Sequence, residues 1–346
     1  MRKLAFLIIP LVMITLCVTG CKDEGKTEDN MALADLRFHD ELRLKTTPVK
    51  DQGNSSLCWV YAMLATIETE HAMRGDSINL STDHPARSYL MEQVMTRAMT
   101  NTRTAITTRG MAPMLIDLLM TYGEHHHSGY NSQKANYNII SRKLSLMTNR
   151  KMSAKNTEKG ANHIFDDLIG YRPKVVFMDG AEYTPLEFAH SVCMPDEYVA
   201  VTSFTHHPFG QKFTLEVKDN YFHSEFLNIP IDTLISHIEK SLKHGHPVCW
   251  EGDISEDGFS WRQGVGILSD TEETSQEARQ KAFENHETTD DHCMAIIGIA
   301  KDQHGDKYFI CKNSWGTDNK RRGYVYLSYD YVRLKTICVV MQEEEL

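Results

Sequence analysis

The chain reads as an α+β protein. Three observations support this. Helical periodicity dominates the first half, apolar strand-like runs separated by turn signals dominate the second, and the two patterns are segregated rather than alternating. Segregation predicts a helical lobe over about residues 39–200 and a mostly antiparallel sheet lobe over about 201–346. A chain of 346 residues can bury a sizeable core, and 41% hydrophobic with 24% charged residues is ordinary for a folded protein.

The first 20 residues stand apart. Arg2 and Lys3 form a positive head, residues 4–18 are almost wholly apolar, and small residues lead to Cys21. This is the pattern of a secretory signal, and its apolar run is short for a membrane span. Val18-Thr19-Gly20-Cys21 resembles a bacterial lipobox, which implies cleavage before Cys21 and a lipid on that cysteine. Residues 21–38 read as a polar tether, so the fold is expected over 39–346. The expected location is the bacterial cell envelope, anchored by lipid to the membrane. Lys22-Asp23-Glu24 resembles a sorting signal for the outer, surface-exposed face.

Within the helical half, Ala62, Ala65, Thr66 and Thr69 recur at three- and four-residue steps, so a helix runs from Cys58 to about Gly75, which suits a stop. Further helices are expected over 83–99, 111–122, 134–150 and 156–169. In the second half Phe213 to Val217 alternates like a strand, and Ile231, Leu234, Ile235, Ile238 and Leu242 form one helical face ending before Gly245. Strands are expected over 246–251, 293–300, 307–312, 323–327 and 336–341.

The formal net charge of −10 and the lack of a basic tract argue against a nucleic-acid partner. There are eight cysteines. With Cys17 lost and Cys21 acylated, six remain, and most sit in apolar strand-like runs as small buried hydrophobes. No CxxC spacing suggests a metal or redox pair, and neither metal nor organic cofactor is called for. His125-His126-His127 lacks a matching ligand pattern and reads as a surface loop. Glu251, Asp253, Glu256 and Asp257 read either as a solvated acidic loop or as a partner for a substrate's α-amino group.

Four residues in chain order carry a chemistry. Cys58 opens a helix, where a thiolate is favoured. His292 heads a strand and can act first as base and then as acid. Asn313, in Asn313-Ser314-Trp315-Gly316, can accept a hydrogen bond from the imidazole, and Trp315 can shield that contact. Gln52 can donate to a developing oxyanion beside the Cys58 backbone N–H. Taken singly, each residue has an ordinary structural reading; the ordered set does not.

Gln52-Gly53, Cys58-Trp59, Asp291-His292 and Asn313-Ser314-Trp315-Gly316 resemble the papain-like cysteine peptidases. Thr289-Asp290-Asp291-His292-Cys293-Met294, Gly110 to Ile116 and Pro247-Val248-Cys249-Trp250 are most similar to the bleomycin hydrolase and aminopeptidase C branch. His292 follows Cys58 by 234 residues, well beyond the short papain-type spacing of about 130–150. The resemblance implies a two-lobed papain-like fold with its active site in the cleft. It also implies peptide substrates and a cysteine peptidase, an aminopeptidase before an endopeptidase. The other reading is a non-catalytic, peptide-binding envelope lipoprotein. Ser56 stands where the family has glycine, narrowing the approach to the thiol, and Ser55 removes a papain-type disulfide partner. The branch's ring-shaped oligomer is harder to assume for a lipid-anchored chain, and whether the tail ending at Leu346 reaches the cleft is open.

Overall fold

The computed structural model describes Leu33 and residues 35–346, apart from 133, 134, 179 and 270. The expected signal peptide, Cys21 and most of the tether lie outside these residues.

The first described strand, β1 (Phe38–Arg43), is followed by five helices: α1 (Cys58–Arg74), α2 (Asp83–Thr100), α3 (Met114–Tyr122), α4 (Tyr137–Thr148) and α5 (Ala154–Leu168). A small hairpin, β2 (Val176–Met178) and β3 (Ala181–Tyr183), leads into α6 (Pro185–Val192). Then come β4 (Tyr198–Thr202), β5 (Lys212–Thr214), β6 (Glu225–Asn228), α7 (Ile231–His244), β7 (Val248–Gly252), β8 (Phe259–Ser260) and β9 (Val265–Gly266). The chain closes with α8 (Gln276–Glu284), β10 (His292–Asp302), β11 (Lys307–Lys312), β12 (Tyr324–Ser328), α9 (Tyr329–Lys335) and β13 (Thr336–Gln342).

One 11-stranded sheet organises the molecule, in the order β5-β6-β4-β13-β7-β10-β11-β12-β9-β8, with β1 added beside β10. Pairing is antiparallel except for β12 with β9 and β4 with β6. Its central strand, β10, is buried at every position but Lys301. One edge of β10 is shared: β7 pairs with His292–Ile296, and β1 pairs with Gly298–Asp302. Gly298 makes room for that exchange, because a Cβ there would stand 2.3 Å from the Leu42 carbonyl oxygen. The sheet therefore recruits β1 and β4 from the stretch expected to be helical, and the fold begins before residue 39.

Two cores result. One fills the helical side around Trp59, Tyr89, Leu118 and Phe165; the other lies beneath the sheet against Ile235, Ile238 and Leu242 of α7. α1 crosses β10 and β7 between them and is buried over most of its length, apolar in its first half and carrying buried Glu68, Glu70 and His71 in its second. Gly75 and Gly245 end α1 and α7 in the left-handed region, at φ of 98° and 97°, a conformation that costs a glycine little.

Residues Glu343–Leu346 pack against α7. Glu345 pairs with His244 at 2.9 Å and Lys240 at 3.5 Å, and His246 joins this group to Glu70 of α1 at 3.0 Å. Glu70 lies twelve residues along α1 from Cys58, about 18 Å at helical rise. The tail is thus tied to the far end of α1 and supplies no group to the cleft.

Candidate active site

The four residues singled out in the sequence converge where α1 meets β10. Cys58 is the first residue of α1, and Leu57 before it carries no side-chain cap, so the first-turn N–H groups are left to the cleft. Just upstream, Thr108 pins the loop: its hydroxyl accepts from Ser56 N–H at 3.2 Å, and its carbonyl accepts from Trp59 Nε1 at 2.9 Å. Trp59 is wholly buried and meets Tyr89 edge-on, which fixes the direction in which α1 begins.

The loop before Cys58 is tied to the loop after β11. Gln52 N–H donates to the Ser314 carbonyl at 2.8 Å, and Gly316 N–H donates to the Lys50 carbonyl at 3.1 Å. Gln52 is held at both ends of its amide: Ser314 Oγ donates to its Oε1 at 2.6 Å, and its Nε2 donates to the Ser55 carbonyl at 2.7 Å. One amide hydrogen is therefore used within the loop, which leaves the second for a ligand in the cleft.

His292 heads β10, 3% exposed, and its Nε2 is 2.7 Å from Asn313 Oδ1. That contact sets the ring's direction and leaves Nδ1 for Cys58. Trp315 lies tilted over the imidazole at a centroid distance of 4.6 Å, and Trp261 meets Trp315 edge-on at 5.3 Å. The Cys58 thiol is held well below its ordinary range by a hydrogen bond from Cys293 and, after burial opposes the shift, by the bond and charge of His292. Cys293 is a partner that sequence reasoning treated only as core; its position next to His292 was the available signal.

These groups open on a cleft of about 400 Å³, lined also by Arg109, Gly110, Asp219, Ser255, Asp290 and Asp291. Arg109 spans it, with Nε 2.5 Å from Asp219 Oδ2 and Nη2 donating to the Asp290 carbonyl at 2.8 Å. No short-range pattern joins these three residues, so the sequence offered no sign of them. Ser56 lines the cleft where the family pattern expects no side chain.

Two expectations are corrected here. Glu251 and Asp253 are not in a solvated loop: Glu251 lies inside β7 with no exposure, and Asp253 is 1% exposed. The strand register carries them inward beside the start of β10. Burial pushes Glu251 up to about 7, and burial with the charge of Glu251 pushes its partner Asp290 well up, so this buried pair favours proton uptake. His125 is likewise no surface residue. It is 1% exposed, packed against His84 and Tyr130, and burial lowers it to about 4.

Comparison with known proteins agrees with this architecture. The model of the Peptidase C1-like family matches residues 94–346, a stretch that holds His292 and Asn313. Aminopeptidase W of Lactobacillus delbrueckii subsp. lactis is 25% identical over 176 residues, 47% of this chain and 40% of that protein. Aminopeptidase G of the same organism is 24% identical over 161 residues, 44% of this chain and 36% of that protein. The matched stretch is thus well under half the length of either relative. The crystal structure of PepW from Lactobacillus rhamnosis HN001 superposes with a TM-score of 0.69 over 92% of this chain and 84% of that one, at 18% identity, a likeness of fold.

Proposed function

The chain belongs to the Peptidase C1-like family, with its papain-like α+β fold, and on that premise we propose that it is a thiol aminopeptidase of the cell envelope. The observation that carries the proposal is the shared environment of Cys58 and His292: a thiol at a helix N-terminus, pushed down by Cys293 and by an imidazole that Asn313 holds in place.

The steps follow from the positions. The Cys58 thiolate attacks the substrate's carbonyl carbon, and the carbonyl electrons move to oxygen. The Cys58 backbone N–H and the free amide hydrogen of Gln52 stabilise that oxyanion. When the C–N bond breaks, the His292 imidazolium gives its proton to the leaving amine, and a thioester remains on Cys58. His292, now neutral, takes a proton from water as it attacks the thioester; collapse breaks the C–S bond, the new carboxylic acid loses its proton to solvent, and the Cys58 thiolate is restored beside the His292 imidazolium. Trp315 over His292 keeps bulk water from the His292–Asn313 bond.

Two features support an aminopeptidase before an endopeptidase. The relatives it resembles carry that name, and the cleft wall includes the carboxyl of Asp291, while Asp219 is balanced by Arg109 and burial favours the neutral form of Asp290. A protonated amino terminus suits such a wall. The proposal includes a lipid on Cys21 and attachment to the outer membrane; among the described residues no helix is long and apolar enough to cross a membrane. Cys21→Ala is expected to release the protein from the membrane fraction, and unchanged partitioning overturns the anchor.

The deciding experiment is a mass-spectrometric time course on peptides with free and with acetylated amino termini, using Cys58→Ala as control. Stepwise trimming of the free-ended pool alone is expected. Internal cuts in both pools would make the enzyme an endopeptidase, and no cleavage beyond the control would leave a peptide-binding lipoprotein.

A further inference from the structure

We propose that His206, His207 and Glu216 form a binding site for a divalent transition metal, with Zn²⁺ as the ion tested first. The site lies outside the cleft, where the connection from β4 to β5 folds back on the segment after β5. Three facts make it more than a chance meeting of side chains.

The first is the donor set. Two imidazole nitrogens and a carboxylate oxygen lie within 4.8 Å of one another. His207 Nε2 stands 2.7 Å from Glu216 Oε1, and His206 Nε2 stands 3.1 Å from Glu216 Oε2. Zinc binds such donors at about 2.0–2.2 Å, so tetrahedral ligands sit about 3.4 Å apart. Both histidine–carboxylate contacts are already inside that spacing, so the carboxylate must back off slightly while the widest pair closes by about 1.4 Å at most, and the Glu216 side chain, 56% exposed, has the freedom to adjust.

The second is the support of the two rings. His207 stacks on Phe213 at 4.0 Å and 25°, and His206 lies nearly parallel to Phe283 at 6.0 Å and 17°. Both rings are held on apolar faces with Nε2 toward the carboxylate, so little rotamer freedom is lost on ligation.

The third is an outer partner for a ligating histidine. The Gln280 amide sits at His206 Nδ1, with Nε2 at 3.1 Å and Oε1 at 3.5 Å. Without metal, Gln280 Nε2 donates to Nδ1, and the ring proton lies on Nε2 facing Glu216. With metal on Nε2, the ring's single N–H proton is relocated through solvent from Nε2 to Nδ1, with no net release, and Gln280 Oε1 accepts it. The amide serves either tautomer, which is the usual task of a group behind a metal-bound imidazole. Gln280 Oε1 also accepts from Thr205 N–H at 2.6 Å, so the amide is itself anchored.

Two imidazoles and one carboxylate suit Zn²⁺ or Cu²⁺ and not Mg²⁺, which keeps to oxygen donors. The sequence hides the set, because His206 and His207 are separated from Glu216 by a strand. Binding would tie the segment at 205–211 to that at 215–219, and Asp219, three residues after Glu216, is the cleft residue that holds Arg109.

The test is isothermal titration of the metal-stripped full chain with ZnCl₂, in the Cys58→Ala background so that the cleft thiol cannot bind the ion. One Zn²⁺ per chain is expected, with no heat from MgCl₂. His207→Ala and Glu216→Gln should each weaken binding at least tenfold, and Zn²⁺ should raise the melting temperature of the parent but of neither variant. No saturable Zn²⁺ binding, or binding unchanged in Glu216→Gln, a surface change that keeps the side chain's size, would mean that the three residues are ion pairs only and would overturn the site.

Discussion

Six cysteines lie among the described residues, and two environments divide them. Cys193, Cys249, Cys293, Cys311 and Cys338 are buried, and in all five burial pushes the thiol up. Cys58 stands at the cleft and is pushed well down. Cys58 and Cys293 shift in opposite directions, with Cys293 favoured as the thiol and Cys58 as the thiolate. Burial alone makes a thiol inert. A helix N-terminus, an imidazole and a donating neighbour together make one reactive. The sheet interior supplies the first environment, and the seam between α1 and β10 supplies the second.

The comparison breaks most readily at His292. With His292→Ala the Cys58 thiol loses both a charge partner and the acid for the leaving amine, so kcat/KM should fall about 10²–10⁴-fold. A fall of less than tenfold in a steady-state peptide assay would remove His292 from the proposed role.

Gln52→Ala should cost about 10²–10³ in kcat with little change in KM, the signature of a donor used only as the oxyanion forms. Because Gln52 also bridges Ser314 and Ser55, a melting curve of the same variant is needed. A drop in kcat that tracks loss of folded protein would assign it to loop structure instead.

A smaller change sharpens the comparison at its closest point. Cys293→Ala removes the donor that does most to lower Cys58, so the iodoacetamide reactivity profile of Cys58 should move to higher pH, and activity near pH 6 should fall by a few fold. An unmoved profile would leave His292 and the helix end as the whole cause.

The mildest effect concerns stability. Glu251 is raised from its ordinary 4.5 to about 7 by burial, so its proton favours the folded state. That contribution is present in full below pH 4.5 and is lost as pH rises through about 7. Glu251→Gln should flatten the dependence of melting temperature on pH across this window, and a slope equal to the parent's would sink the raised Glu251 carboxyl.

Local chemistry was legible where it repeats at short range. Gly75 and Gly245 mark the ends of α1 and α7, and β11, at 307–312, falls where its apolar run predicts. β1 carries little strand signal of its own because Phe38–Arg43 is mostly polar and gains its strand state only by pairing with a segment some 260 residues away. α8 was missed because Gln276–Glu284 is mostly charged and polar, and what anchors it, Arg279 donating to the Ser203 carbonyl at 2.8 Å, is nonlocal.

The sequence alone determined the α+β class, the family resemblance, and the identities and order of Gln52, Cys58, His292 and Asn313, because residue type and spacing are written along the chain. Only the tertiary structure decided which thiol is activated by what, that Glu251 is buried against Asp290, that Arg109 is spent on Asp219, and that the tail docks at the far end of α1. Each of those depends on distances and burial between segments a hundred or more residues apart, or on strand register, and a charge's energy is set by such surroundings rather than by its neighbours in the chain.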